Sequence, residues 1–135
     1  MPIATKTVLC VDDDEDDREI VCFTIGEIDA SLQVVHAKDG LDALDYLTKA
    51  KQENTLPCLV ILDINMPRMD GKQTLAEIKK DNYLSKVPVV VFSTSSSFDD
   101  KLYCDRYGTK LVTKPSSMHT MKDEVKRLLQ PCVEA

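Results

Sequence analysis

No run of about 18 apolar residues occurs in this chain, the length that a membrane-spanning helix needs. The first residues, Met1-Pro2-Ile3-Ala4-Thr5-Lys6, carry no apolar stretch of the kind a secretory leader requires. Neither a membrane span nor a signal peptide is expected, and the protein is read as cytoplasmic. A basic excess is also missing. Lys and Arg number 17 against 23 Asp and Glu, a formal net charge of −6, whereas direct nucleic-acid binding usually needs a basic face. The stretches richest in Lys and Arg, near Lys79-Lys80 and Lys122–Arg127, have acidic neighbours and read as solvated helix faces. Finally, no two cysteines stand at Cys-x-x-Cys spacing. Cys10, Cys22, Cys58, Cys104 and Cys132 are scattered, so neither a zinc site nor a thioredoxin-like motif is expected. Their number is odd and the context reads as reducing, so no structural disulfide is expected. Cys10 and Cys58 lie in or beside apolar runs and should pack as small apolar groups.

What is present is a size and pattern suited to one folded unit. The 135 residues are 43% apolar, enough for one compact domain with a real core. No repeat, low-complexity tract or linker divides them, so a single domain over residues 1–135 is expected, with its core over about 6–130. Short apolar runs alternate with helical stretches. Thr7–Val11, Leu32–Ala37, Cys58–Leu62, Val89–Phe92 and Leu111–Thr113 read as strands. Leu41, Ala43, Leu44 and Leu47 recur at helical spacing, and Pro57 and Pro88 open strands. Helices are expected after each strand, the last over Met118–Leu129, giving five βα units. Runs such as Leu59–Leu62 and Val89–Phe92 are apolar throughout, as strands covered on both faces of a parallel sheet must be. With right-handed crossovers, the expected fold is α/β, a doubly wound (βα)5 flavodoxin-like domain.

Six consecutive acidic residues, Asp12 to Asp17, follow the first apolar run. Carboxylates there lie outside the C-terminal edge of the sheet, where open α/β folds place ligands, and several together suit a hard cation such as Mg²⁺. Asp and Glu also favour helix starts, because they cap free N–H groups and meet the positive end of the dipole. Asp14 to Asp17 are assigned to that capping, with kinase docking or metal concentration as the alternative. In a parallel sheet every strand ends on the same edge. Asp12 and Asp13 follow the first strand, Asp63 the third, Ser93 closes the fourth, and Lys114 follows the fifth. Each has an ordinary explanation alone, as a cap, a turn or an edge lysine. Together at four matching strand ends they form a candidate site.

These residues stand in Val11-Asp12-Asp13, Leu62-Asp63-Ile64-Asn65-Met66-Pro67, Met69-Asp70-Gly71, Ser93-Thr94 and Lys114-Pro115. In these motifs the chain resembles the response-regulator receiver domain of two-component signalling, over nearly its full length. The acidic extension and the Ser-rich loop are also similar to the small receivers encoded beside bacterial phytochrome-type kinases. The resemblance implies a five-stranded sheet of order 2-1-3-4-5. It implies that Asp63 accepts a phosphoryl group from a histidine kinase, with Mg²⁺ held by Asp13, Asp63, the Asn65 backbone carbonyl and, through water, Asp12. It implies that Lys114 and Ser93 contact the phosphoryl oxygens, and that Asn65 and Ser95 tune the lifetime of the modified form. It further implies a cis Lys114–Pro115 bond and an output face of fourth helix, fifth strand and fifth helix, which would serve a downstream protein or a homodimer. Leu111, Val112, Met118, Met121, Val125 and Leu128 could contribute to that face, although most are expected to be core or sheet residues.

Two departures from the family pattern are visible. Leu111 stands where receivers often carry an aromatic, and a leucine has no polar tip to swing. Tyr107 and Tyr103 are nearby, but packing is the expected role for both. Tyr107-Gly108 replaces a Gly followed by a small residue, so local loop geometry should differ. No effector domain follows the last helix in the sequence, so output is expected through contact with another protein, or by passing the phosphoryl group to a histidine phosphotransfer protein. A haloacid-dehalogenase-type phosphatase is the enzyme alternative. It would need a second acid two residues after the nucleophile, and Asn65 stands there. A degenerate, non-phosphorylated receiver is disfavoured by the intact set of Asp13, Asp63, Ser93 and Lys114. Apart from self-phosphorylation and autodephosphorylation, no enzymatic turnover is expected.

Overall fold

The computed structural model describes residues 6–94 and 97–133. Five strands are joined by helices in strict alternation: β1 (Thr7–Val11), α1 (Glu15–Ile28), β2 (Gln33–Ala37), α2 (Gly40–Glu53), β3 (Leu59–Leu62), α3 (Gly71–Lys80), β4 (Val89–Ser93), α4 (Phe98–Arg106), β5 (Lys110–Thr113) and α5 (Met118–Leu128). A 3₁₀ turn over Leu84–Lys86 and a terminal helix α6 (Gln130–Val133) complete the order. The sheet runs β2-β1-β3-β4-β5 with every pairing parallel. The expected α/β doubly wound architecture and strand order are therefore present.

Alternation within each strand explains the two layers of helices. In β1, Val8 and Cys10 belong to one core, with Val21 and Ile25 of α1 and Met121, Val125 and Leu128 of α5. Leu9 and Val11 belong to the other, with Leu47 of α2, Leu75 and Ile78 of α3 and Cys104 of α4. A strand whose successive side chains point to opposite faces must be apolar at every position to serve both, and β3 is buried at all four of its residues. Helix starts are set by short polar side chains. Asp14, Asp39, Asp70, Ser97 and Ser117 each accept a hydrogen bond from the first turn of α1 to α5 respectively. Asp70 and Gln73 form a reciprocal capping box.

Two expectations are overturned. Cys58 and Cys132 form a disulfide across 74 residues of sequence, with their Cα atoms 5.2 Å apart. The reason is α6, which brings Cys132 back to the chain just before β3. Helix α6 has only four residues, too short for a periodic signal. Cys10 is buried as expected, while Cys22 and Cys104 are also free thiols. In addition, no cis peptide occurs among the described residues, so Lys114–Pro115 is trans. The trans form is the lower X–Pro isomer by about 0.5–1 kcal/mol, and nothing local in the sequence opposes it. Gly108 adopts φ +65°, where L side chains are disfavoured, and ends the turn after α4.

Gly71 is required by close approach. Its N–H donates to the Ile64 carbonyl at 2.7 Å, and a Cβ there would stand 2.1 Å from the Asp63 carbonyl oxygen. Backbone offers no cheap way to yield. We therefore expect Gly71→Ala to destabilise the protein by roughly 1–3 kcal/mol, the usual cost of overpacking. A urea-denaturation midpoint equal to that of the wild type would contradict this account of the loop.

Candidate functional site

The backbone ladder carries the site residues one step past the strands. Asp12 N–H donates to the Ala37 carbonyl at 3.1 Å, Asp63 N–H to Val11 at 3.0 Å and Lys114 N–H to Ser93 at 2.9 Å. Each of these residues is thus held by the neighbouring strand and not by a free loop. The structure brings together Asp12, Asp13, Asp63, Ser93 and Lys114. Carboxylate oxygens of Asp12, Asp13 and Asp63 lie within 4.8 Å of one another. Asp12 and Ser93 are buried, Asp63 is half-buried and Asp13 is exposed, so the acids face one opening. Asn65 lies two residues past Asp63 in the loop after β3, and its side chain is exposed. Ser95 lies outside the described residues.

Lys114 is the internal cation of this group. Its side chain is only 6% exposed, and Nζ lies 2.6 Å from Asp12 Oδ2, 3.1 Å from Asp17 Oδ2 and 3.8 Å from Asp63 Oδ2. Burial alone would lower its proton affinity. The hydrogen bond to Asp12 and the charges of Asp63 and Asp12 outweigh that, so its pKa is raised. Asp63 is pushed the other way from a typical ion-paired acid. Burial raises its pKa, and the nearby Asp12 charge adds to that, against the opposing effects of Lys114, a Ser93 hydrogen bond and the Ile64 N–H. The Ile64 N–H donates to Asp63 Oδ1 at 2.8 Å. Three carboxylates facing one ammonium leave the pocket short of positive charge. The oxygen-only donor set, without imidazole or thiolate, suits a hard divalent cation. The acidic triad therefore fits such an ion.

Two contacts of the site carry no signal in the sequence. Asp17 is expected at the start of α1, where its N–H does donate to Asp14 Oδ1 at 3.2 Å, but its carboxylate also reaches Lys114. The loop after β3 is tied down by Arg68, which donates Nε to Asp39 Oδ2 at 2.7 Å and stands 2.6 Å from it through Nη2. Arg68 adopts φ +63°, and Asp39 is buried at the start of α2. A bare Arg in a polar loop carries no signal for such a pairing. The expected packing roles of Tyr103 and Tyr107 fit the structure. Their rings lie 5.3 Å apart, and the Tyr103 hydroxyl donates to the Lys72 carbonyl. Val112, Met121, Val125 and Leu128 are core residues, whereas Met118 is 55% exposed.

The Response regulator receiver domain family matches residues 8–126. The chain belongs to the response-regulator receiver family. This receiver is 35% identical over 112 residues to the response regulator Rcp1 of a Synechocystis species, covering 78% of this chain and 76% of that protein. It superposes on the phosphorylated cyanobacterial phytochrome response regulator RcpA with a TM-score of 0.85 at 31% identity, covering 94% of this chain and 93% of RcpA. Against the Mn²⁺-bound form of Rcp1 the TM-score is 0.81 at 30% identity, with 92% and 91% covered. The protein is thus a receiver of two-component signalling with an acidic pocket of Asp12, Asp13 and Asp63. Receivers partner with histidine kinases and are typically non-enzymatic apart from self-phosphorylation. No described helix is long and apolar enough to cross a membrane.

The raised pKa of Asp63 has a definite sign for stability. A carboxyl whose folded pKa exceeds its unfolded value favours the fold while protonated, and that contribution is lost as pH rises through the folded pKa. At neutral pH and without divalent cation, Asp63→Asn should therefore raise the urea midpoint, and the gain should vanish below the ordinary carboxylate range. A destabilised Asp63→Asn variant at neutral pH would contradict the assignment of burial as the dominant influence on this group.

Proposed function

We propose that this receiver accepts a phosphoryl group on Asp63 from the phosphohistidine of a sensor kinase and acts as a stand-alone cytoplasmic switch. The observation that carries the reading is the Asp63 carboxylate at the end of β3, with Asp12 and Asp13 on one side and Lys114 and Ser93 completing the pocket. In the transfer, an Asp63 oxygen forms a bond to phosphorus while the phosphorus–nitrogen bond of the donor breaks. The histidine nitrogen keeps the electron pair. Asp13, Asp63, the Asn65 carbonyl and, through water, Asp12 would hold Mg²⁺, which would supply charge neutralisation for the transferring group.

The chain's own groups do the positioning. Ile64 N–H holds one Asp63 oxygen, which fixes the carboxylate plane and leaves Oδ2 on the side of Lys114. Lys114 carries the charge that meets the incoming phosphoryl oxygens, a compact ammonium with three donors. Ser93 gives its hydroxyl to the same group. Since Ser93 ends β4, its displacement moves the loop that leads to α4. Helix α4 exposes Phe98 and Leu102, at 74% and 42%, which supports an output face on α4, β5 and α5 for a downstream protein or a homodimer. Residues 1–135 act as one receiver unit in this reading. The high coverage of RcpA and Rcp1 supports that, because those chains are of similar extent.

The test is phosphoryl uptake from acetyl phosphate, followed by intact-protein mass spectrometry. Wild type should gain one hydroxylamine-labile phosphoryl group in Mg²⁺, and Asp63→Asn should gain none while keeping its circular dichroism. Acid-stable modification of the Asn variant would place the acceptor elsewhere. Excess chelator should abolish wild-type uptake, and undiminished uptake would remove the metal from the proposal.

A further inference from the structure

The proposed chemistry leaves one contact of Lys114 unused, that with Asp17. Asp17 occupies the third position of α1, after the Asp14 cap. Glu15 and Asp16 are exposed to solvent, whereas the Asp17 side chain turns toward the pocket and is 36% exposed. Its Oδ2 lies 3.1 Å from Lys114 Nζ, within hydrogen-bond reach, while Asp63 Oδ2 at 3.8 Å is outside it. Asp12 and Asp17 therefore take two of the three ammonium donors, and the group the lysine is to serve takes none.

We propose that Asp17 is a positioning residue that holds the Lys114 ammonium back from Asp63 in the resting receiver and so restrains phosphoryl uptake. This rests on the reading of Asp63 as phosphoryl acceptor. The lysine is anchored by Asp12 at 2.6 Å, so loss of Asp17 does not set it adrift. It frees one N–H to swing toward Asp63, where an incoming phosphoryl group needs it. Asp17 is also more exposed than Asp12, so its hold on the lysine is the more weakly desolvated and the more easily given up. An acid at this position thus sets how readily the lysine is delivered, without touching the reacting atoms itself.

The experiment measures initial rates of uptake from acetyl phosphate in Mg²⁺ for wild type, Asp17→Asn, Asp17→Glu, Lys114→Gln and the double variant Asp17→Asn with Lys114→Gln. Asp17→Asn should be faster by roughly twofold to fivefold, the size expected for one partly exposed ion-pair partner. Asp17→Glu, which keeps the charge, should return the rate to that of the wild type. In the Lys114→Gln background the acceleration should disappear. An acceleration that persists there would mean a general field effect of one negative charge and would overturn the role. An unchanged or slower Asp17→Asn beside an active wild type would overturn it too, leaving the function intact. A wild type that takes up no phosphoryl group would overturn the functional reading and this role with it.

Discussion

A single buried ammonium surrounded by carboxylates is the constraint around which this end of the molecule is built. Lys114 is almost fully enclosed, and three acids stand within 4 Å of its Nζ. Removing a charge from water is expensive unless it is paired and hydrogen-bonded. The acids have the converse problem, because Asp12 and Asp63 would repel one another in a partly dry site. Each side therefore makes the other tolerable. The same residue closes the sheet, since the Lys114 N–H is bonded to Ser93 where β4 ends. Charge balance and strand pairing are thus fixed at one position. One ammonium does not neutralise the whole group, however. That shortfall of positive charge is what fits the pocket to a divalent cation, and the fold maintains it by tying Asp12 and Asp63 to neighbouring strands.

The apolar runs made the sheet legible, because a strand covered on both faces has no room for polar residues. Once the strands were located, parallel topology alone implied that Asp12, Asp13, Asp63, Ser93 and Lys114 share an edge. The contacts that sequence could not reveal depend on where a flexible side chain points. Asp17 looked like one more acid in a run of six, and only the helix phase distinguishes it from Glu15 and Asp16. Arg68 stands between Met66-Pro67 and Met69-Asp70-Gly71, but neither motif names a partner for its guanidinium. The Cys58–Cys132 pairing depends on a four-residue helix at the far end of the chain. Redox compartment and cysteine count, which speak against a disulfide, carry no information on proximity. The trans Lys114–Pro115 bond shows the opposite failure, in which a family expectation displaced the ordinary preference of the peptide.

The loop after β3 shows how the fold holds a site residue's neighbourhood rigid. A non-glycine residue in the left-handed region costs of order 1–3 kcal/mol and persists when its surroundings over-determine it. Arg68 is such a residue, and its guanidinium closes on Asp39 with two contacts. Asp39 also caps α2, so one buried carboxylate fixes a helix start and a loop together. Gly40 N–H donates to the Met69 carbonyl, and Gly71 N–H to Ile64, which presses the loop onto both flanking elements. The chain between Asp63 and α3 is thereby clamped at its middle and at its end. The pocket therefore has a firm wall on the side of α2 and α3, whereas α4 buries few of its residues.

That asymmetry bears on how a charge on Asp63 would reach the surface. Leu111 packs half-buried against the core on the α2, α3 and α4 side, and a leucine cannot exchange one hydrogen bond for another. Helix α4 is a better conduit. Its buried residues are only Asp100 and Cys104, so little apolar burial anchors it. Polar contacts secure it instead: Lys72 of α3 pairs with Asp100, and the Tyr103 hydroxyl donates to the Lys72 carbonyl. Elements with few buried apolar contacts are the ones that shift at low cost. A helix fastened mainly by ion pairing and hydrogen bonding can be re-seated by a small movement at Ser93, because such bonds can be exchanged for others or for water. In the proposed switch, the weak apolar anchoring of α4 takes over the part that a swinging aromatic plays in other receivers, with Phe98 and Leu102 as the surface that moves.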